Sequence, residues 1–514
     1  MSKGEGTAPS RSRLGESLFS RRGLLSAGLI GITAKAERSI TGSFVNEAQN
    51  AGHRLRDHAA MRAPSRVVKV PVVIAGGGMA GLSAAWRLQK KRFTDFVVLE
   101  MESEAGGNSR SGRNEVSEYP WAAHYLPVPN PNTALVRELL EETGILKNGK
   151  FEERHLCHSP QERLFLHGRW QDGLEPEVGA TKKDRQQYKE FEKLIQEFRH
   201  SGQFTIPMEL GMKPSELDRI SMKQWLLNHK FDSPYLHWYI DYSTRDDYGA
   251  SSAATSAWAG VHYFAAREQE EKGPLTWPEG NGWLLKRLLE RVGKFVRSGA
   301  MIYRISKEGR EWRVFTEDTE YRAGAVIFAA PAFTAPYLTQ DIPPVKGFEY
   351  SPWLTANLTL DRIPAGGQPA WDNVIYNSQS LGYVDALHQS LRTHIDRSVW
   401  TYYWALAEGS PVESRKRLLA NDWNYWKEAI LADLERAHPD IRQCVSRIDI
   451  MRMGHAMARP TPGFLSLSVR QQLVRQQGTF VFAHADLSGF SIFEEAQYRG
   501  VHAAEHVLSA LYGK

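Results

Sequence analysis

Three glycines, Gly76, Gly78 and Gly81, together with Glu100, are the residues of this 514-residue chain whose types and spacing point most directly to chemistry. In a G-x-G-x-x-G turn the first glycine permits the tight exit from a strand. The second lets backbone approach a pyrophosphate, and the third lets helix and strand pack closely. The helix that follows offers unpaired N–H groups to the anion, and Met79 and Ala80 stand in its first turn. Glu100 lies 19 residues beyond Gly81, where a carboxylate can accept hydrogen bonds from a ribose. The pattern predicts a bound dinucleotide.

These residues need a βαβ unit to hold them, and the flanking sequence reads as one. Residues 70–75 are a short apolar run rich in β-branched side chains, as expected of a buried parallel strand. Leu82, Ala85, Trp86 and Leu88 share a helix face, and Phe96-Val-Val-Leu99 is a second strand that ends at Glu100.

Just past that acid comes a second glycine pair, in Glu104-Ala-Gly106-Gly107-Asn108-Ser109-Arg110-Ser111-Gly112. With the first motif, this stretch resembles the flavin-containing amine oxidase superfamily, which includes monoamine and polyamine oxidases, L-amino acid oxidases, protoporphyrinogen oxidase and carotenoid desaturases. The resemblance implies FAD as cofactor, with Gly106, Gly107 and Asn108 against it. It also implies that Ala123, His124 and Tyr125 lie against the isoalloxazine ring, that backbone near Ile302 meets adenine, and that a strand closes at the cofactor near Ala330. The acid of Asp486 is then expected on the ribityl and phosphate part, and the helix opening at Phe493 and Glu494 is aimed at the pyrimidine ring. Relatives that oxidise amines commonly carry a lysine holding a water at flavin N5, and Thr355 occupies that position here. Ala122, Ala123 and Ala485 stand where the superfamily usually has glycine. His124, Thr355 and Phe493 are the candidates for a direct part in the chemistry.

Composition sets the outer bounds. With 42% hydrophobic and 24% charged residues, the chain reads as an ordinary globular protein large enough for two domains. Residues 1–36 read as an export signal: Arg21-Arg22 precedes an apolar run from Gly23 to Thr33, and Ala34-Lys35-Ala36 offers a small-x-small cleavage site. The arginine pair resembles the twin-arginine address for proteins exported already folded, which makes the twin-arginine machinery a partner and a bacterial periplasmic or secreted location the expectation. An apolar run this short gives no stable membrane anchor. That segment holds Lys3, Arg11, Arg13, Arg21, Arg22 and Lys35 against Glu5 and Glu16, most of the whole-chain net charge of +5. The remainder is nearly neutral, so no nucleic-acid partner is expected. Cys157 and Cys444, far apart, read as two free buried thiols. His155, Cys157 and His158 cluster without a second ligand group, so no metal is expected.

The expected fold class is α/β: a Rossmann-type FAD-binding domain with an interleaved α+β substrate domain. The expected layout is a signal (1–36), a linker (37–66), FAD-binding segments 67–131, 275–340 and 451–514, a helical substrate segment 132–274, and a second substrate segment 341–450. Aromatic residues gather between Tyr235 and Phe264, as a helical core or as cavity walls. A second helical pattern runs over residues 413–437 and closes the substrate domain. The expected function is an exported FAD-dependent oxidoreductase that takes hydride from a small molecule at flavin N5. The alternatives are a desaturase or dehydrogenase for an apolar substrate, and a flavin-binding structural protein whose pocket is filled by Phe490, Ile492 or Phe493.

Overall fold

The computed structural model describes residues 39–513 apart from 46–48, 58, 214, 268–272, 343, 367–368, 391 and 393. The expected export signal lies outside the described residues.

Five parallel strands form the sheet that carries the glycine motif, in the order Val296–Arg297, Phe96–Leu99, Val72–Ala75, Ala325–Phe328 and Phe480–Phe482. Every residue of Val72–Ala75, Phe96–Leu99 and Ala325–Phe328 is buried, which is why these strands are apolar on both faces. Helices Met79–Lys90, Gly282–Val292 and Phe493–Tyr512 share one core with this sheet. On the other face a second core joins it to a four-stranded sheet of Arg304–Glu308, Glu311–Phe315, Thr319–Ala323 and Arg66–Lys69. Two glycines set the helix spacing. A Cβ at Gly81 would lie 1.9 Å from the Gly76 carbonyl oxygen, and one at Gly500 would lie 2.0 Å from that of Ala80.

An eight-stranded mixed sheet makes the other half, in the order Thr41–Phe44, Val445–Arg459, Glu349–Leu360, Ser398–Ala405, Gly382–Asp385, Asp372–Ile375, Glu162–Leu166 and Arg169–Asp172. Leu354, Ala356 and Leu358 point to helices packed on one face. Trp353 and Tyr403 point the other way, into an aromatic cluster with Trp238, Tyr242 and Trp371. The α/β fold class is the one expected.

Local details depart from the sequence reading. The segment expected to be helical contains the hairpin Glu162–Leu166 and Arg169–Asp172, turned by His167 and Gly168 at φ 51° and 78°. Two residues at positive φ make the tight turn that suits strand twist. The helical pattern over 413–437 falls into two helices, Pro411–Ala420 and Trp423–Glu435, because the Asp422 side chain accepts from the Tyr425 N–H and starts a new one. The stretch read as a linker or a surface helix contains helix Gln49–Arg56, which buries none of its residues, and also a strand, Thr41–Phe44, paired in parallel with Arg447–Ile450. Both cysteines are free and buried.

Candidate active site

The phosphate end is built by two glycine segments held side by side. Gly76, at φ +109°, donates its N–H to Leu99 O at 2.8 Å, and Gly106 donates to Gly77 O at 2.8 Å. A Cβ at Gly107 would sit 3.3 Å from Gly78 Cα, whereas one at Gly78 meets nothing within 4 Å. Gly78 caps helix Met79–Lys90 without a side-chain hydrogen bond, so the first-turn N–H groups, at Met79, Ala80 and Gly81, face that open space. Gly76, Gly78, Gly107 and Asn108 keep accessible surface directly beside fully buried strands. An open cradle over a glycine at an uncapped helix N-terminus fits a pyrophosphate, and hence FAD.

Glu100 closes this end. Its Oε2 accepts from Gly77 N–H at 2.7 Å and its Oε1 from Glu102 N–H at 2.8 Å, while burial pushes its pKa up. Ala330 abuts the same turn, since a Cβ on Gly76 would lie 2.9 Å from Ala330 N. Ile302 is buried in the cluster beneath the sheet, two residues past Ala300, whose N–H binds Glu100 O.

From there the chain is stitched toward the large sheet. Ala123 N–H donates to Asn108 O at 2.9 Å, Asn281 N–H donates to Ala123 O at 3.0 Å, and the Thr276 hydroxyl donates to His124 O at 2.8 Å. Tyr125 pairs with Thr276 across a two-stranded ladder. The His124 ring lies 4.7 Å from Tyr403 and 5.5 Å from Trp371. Burial pushes its imidazole down to about 4, so it is neutral at physiological pH. The Tyr403 hydroxyl donates to Ala122 O at 2.9 Å. Thr355 stands opposite Tyr403 in the ladder, fully buried, with a hydroxyl that has no hydrogen-bond partner.

Asp486 and Phe493 are engaged by the protein. The Asp486 Oδ2 accepts from Ala332 N–H at 2.8 Å and from the Tyr350 hydroxyl at 2.7 Å, and His484 Nδ1 lies 2.9 Å from Oδ1. Burial alone would raise this carboxyl, but His484, Tyr350 and Ala332 together hold it below its usual range. Phe493 packs into the core beside the parallel sheet. Glu494, 2% exposed, instead faces a cavity.

That cavity, of about 330 Å³, is where sequence reasoning missed most. His124, Tyr125, Tyr242, Tyr263 and Trp371 supply its aromatic walls. Glu162, Asp246, Asp372 and Glu494 supply carboxyl groups, and its one arginine, Arg267, is paired with Asp247 at 2.7 Å. The aromatic stretch of the sequence divides: Tyr242 and Tyr263 line the cavity, while Tyr248 and Trp258 belong to a helical core. Phe490 stacks on Trp258 in that core and does not enter the cavity. The signal that was available was Asp246-Asp247, a carboxyl pair inside an aromatic helix.

Three comparisons bear on this arrangement. The family model described as flavin containing amine oxidoreductase matches residues 79–508. The Baeyer-Villiger monooxygenase peniC of Penicillium patulum is 29% identical over 126 residues, 24% of this chain, and the match spans only 19% of that protein. Among solved structures, cyclohexylamine oxidase from Brevibacterium oxydans superposes with a TM-score of 0.66 at 14% identity, covering 86% of this chain and 99% of that one. Putrescine oxidase bound to putrescine gives 0.62 at 17%, covering 86% and 100%. A fatty acid isomerase from P. acnes gives 0.60 at 15%, covering 86% and 98%. At these identities the solved structures share the fold.

Proposed function

Because the chain belongs to the flavin-containing amine oxidoreductase family, and is therefore an FAD-dependent oxidoreductase, we propose that it is exported and oxidises a small amine that enters as a cation, gives its extra proton to a cavity carboxylate and then passes hydride from the neighbouring carbon to flavin N5. The observation that carries this reading is the row of carboxyl groups, Glu162, Asp246, Asp372 and Glu494, on the cavity shared with His124 and Tyr125. A carboxyl wall favours an ammonium over a neutral or acidic ligand.

FAD, when bound, supplies the two-electron acceptor; Gly76, Gly78, Met79, Ala80, Gly81, Glu100 and the segment Gly106-Gly107-Asn108 would hold its dinucleotide part. The residues of this chain do the rest. The carboxyls hold the nitrogen end, Tyr242, Tyr263 and Trp371 exclude water and grip the carbon skeleton, and neutral His124 adds no opposing charge. Thr355, in place of a lysine, favours a second reading, a dehydrogenase or desaturase for an apolar substrate. A structural role without turnover is disfavoured because Phe490 and Phe493 pack elsewhere and leave the cavity open.

The deciding measurement is the absorption spectrum of the purified protein followed by anaerobic titration with amines, amino acids and apolar alkenes. Bleaching of the flavin by an amine at stoichiometric ratio is the expected result. Bleaching by an alkene alone would move the assignment to the second reading, and a protein that takes up no FAD on reconstitution would overturn both.

Export rests on Arg21-Arg22 ahead of the apolar run. Replacing both by lysine is expected to leave folded, flavin-bearing protein in the cytoplasm of a bacterial host, read by fractionation. Unchanged periplasmic recovery would sink the twin-arginine reading.

A further inference from the structure

On the reading that the cavity beside His124 is the substrate cavity, we propose that its carboxyl wall binds a ligand carrying two cationic nitrogens.

The placement of the carboxyls is the first support. Glu162 and Asp372 stand opposite each other in register on neighbouring parallel strands, so their side chains leave the same side of the sheet about 4.8 Å apart at the backbone. Asp246 approaches from helix Pro234–Tyr248 and Glu494 from helix Phe493–Tyr512. The arginines within reach are already used: Arg245 pairs with Asp241 at 3.2 Å and Arg267 with Asp247 at 2.7 Å. Among the described residues no cation pairs with Glu162, Asp246, Asp372 or Glu494.

Glu494 adds an observation independent of this clustering. It is 2% exposed, it lies on the cavity wall, and its Oε2 has no hydrogen-bond partner. A buried carboxyl oxygen without a donor is costly, and the side of it that remains open is the cavity.

The charge balance then sets the ligand class. Burial, reinforced by Asp247 and Glu162, pushes Asp246 up to about 7, and burial does the same to Glu494. Asp372 is also raised, by burial and by its neighbours Glu162 and Asp246, while Glu162 stands exposed at the start of its strand. Near neutrality the wall therefore carries protons that a cation can displace. His124 is held neutral by burial, and burial keeps Tyr125, Tyr242 and Tyr263 protonated, so none of them competes. One ammonium offsets one ionised carboxyl; with Glu162, Asp246 and Asp372 on strands and helix at one side and Glu494 on another helix, a second charge finds its own partner. Raising the pH from about 6 to about 8 strips protons from the empty wall, so the dication then displaces fewer of them and binds more tightly.

The test is anaerobic isothermal titration of the FAD-loaded protein with 1,5-diaminopentane, n-pentylamine and 1-pentanol, in buffers of different ionisation enthalpy. We expect the diamine to bind at least about tenfold tighter than the monoamine, with net proton release at about pH 6.5 and higher affinity at about pH 8. Asp372→Asn and Glu162→Gln should each narrow the diamine-to-monoamine gap and reduce the protons released. Equal affinity for diamine and monoamine overturns the proposal. The flavin spectrum separates the two readings: diamine binding with proton release but no perturbation of flavin absorbance leaves the dication site standing and removes the substrate cavity from the flavin.

Discussion

Replacing Gly78 by valine is expected to give a folded protein that holds no FAD. Gly78 has φ −73° and ψ −178°, a backbone that any L-residue adopts, and a Cβ built there meets nothing within 4 Å. The protein itself has room for the new side chain, but it occupies the approach to the free N–H groups at the start of helix Met79–Lys90. Charge-assisted hydrogen bonds of about 1.5–3 kcal/mol each are then lost, which lowers FAD affinity at least about a hundredfold. The flavin-to-protein absorbance ratio reads that loss, and circular dichroism with the unfolding midpoint of flavin-free protein reads the fold. Gly81→Val is the contrast, since its Cβ would lie 1.9 Å from Gly76 O and fold and flavin should fail together. A Gly78→Val protein that keeps stoichiometric flavin would overturn the placement of the pyrophosphate.

The second large effect is expected at Glu209. Its Oε1 accepts from Arg470 Nη2 and from Arg499 Nη2, each at 2.7 Å, and the two arginine side chains are 2% and 3% exposed. Glu209→Ala leaves both guanidinium groups buried against a cavity. Removing one partner of a buried ion pair costs about 3–5 kcal/mol, here toward the lower end because Glu209 is itself 17% exposed and water can enter. Glu209→Gln should recover part of the loss by keeping an acceptor oxygen. Chemical denaturation of the flavin-free variants measures the effect, and a midpoint unchanged from the parent would mean that the arginines find other acceptors.

What the sequence made legible was local. The G-x-G-x-x-G turn, its strand, its helix and Glu100 all lie within one βαβ unit, where spacing alone fixes geometry; Gly106 came in through the family resemblance, and in the structure its N–H reaches Gly77 O directly. The acidic wall was not legible, because Glu162 and Asp372 meet only through the register of two strands 210 residues apart, and neither carries a local pattern. The same holds for Glu209, Arg470 and Arg499, which converge from three separate elements. Thr41–Phe44 escaped notice because a short polar edge strand has no periodicity of its own and exists only by pairing with Arg447–Ile450. Asp486 shows the limit from the other side. Its motif position was readable, but the carboxyl oxygens are occupied by Ala332, Tyr350 and His484, and only tertiary structure brings Ala332 and Tyr350 to it.

The parallel sheet also imposes an order on biosynthesis. The glycine cradle is made before the edge strand Phe480–Phe482 and before the helix Phe493–Tyr512, which meets Met79–Lys90 through Gly500 against Ala80. A nascent chain that has not yet released those residues from the ribosome exposes the apolar flank of Ala325–Phe328 and the face of the first helix. The core around the cradle is therefore completed only when that helix docks, and any chaperone that guards the chain during synthesis must cover the same flank until then.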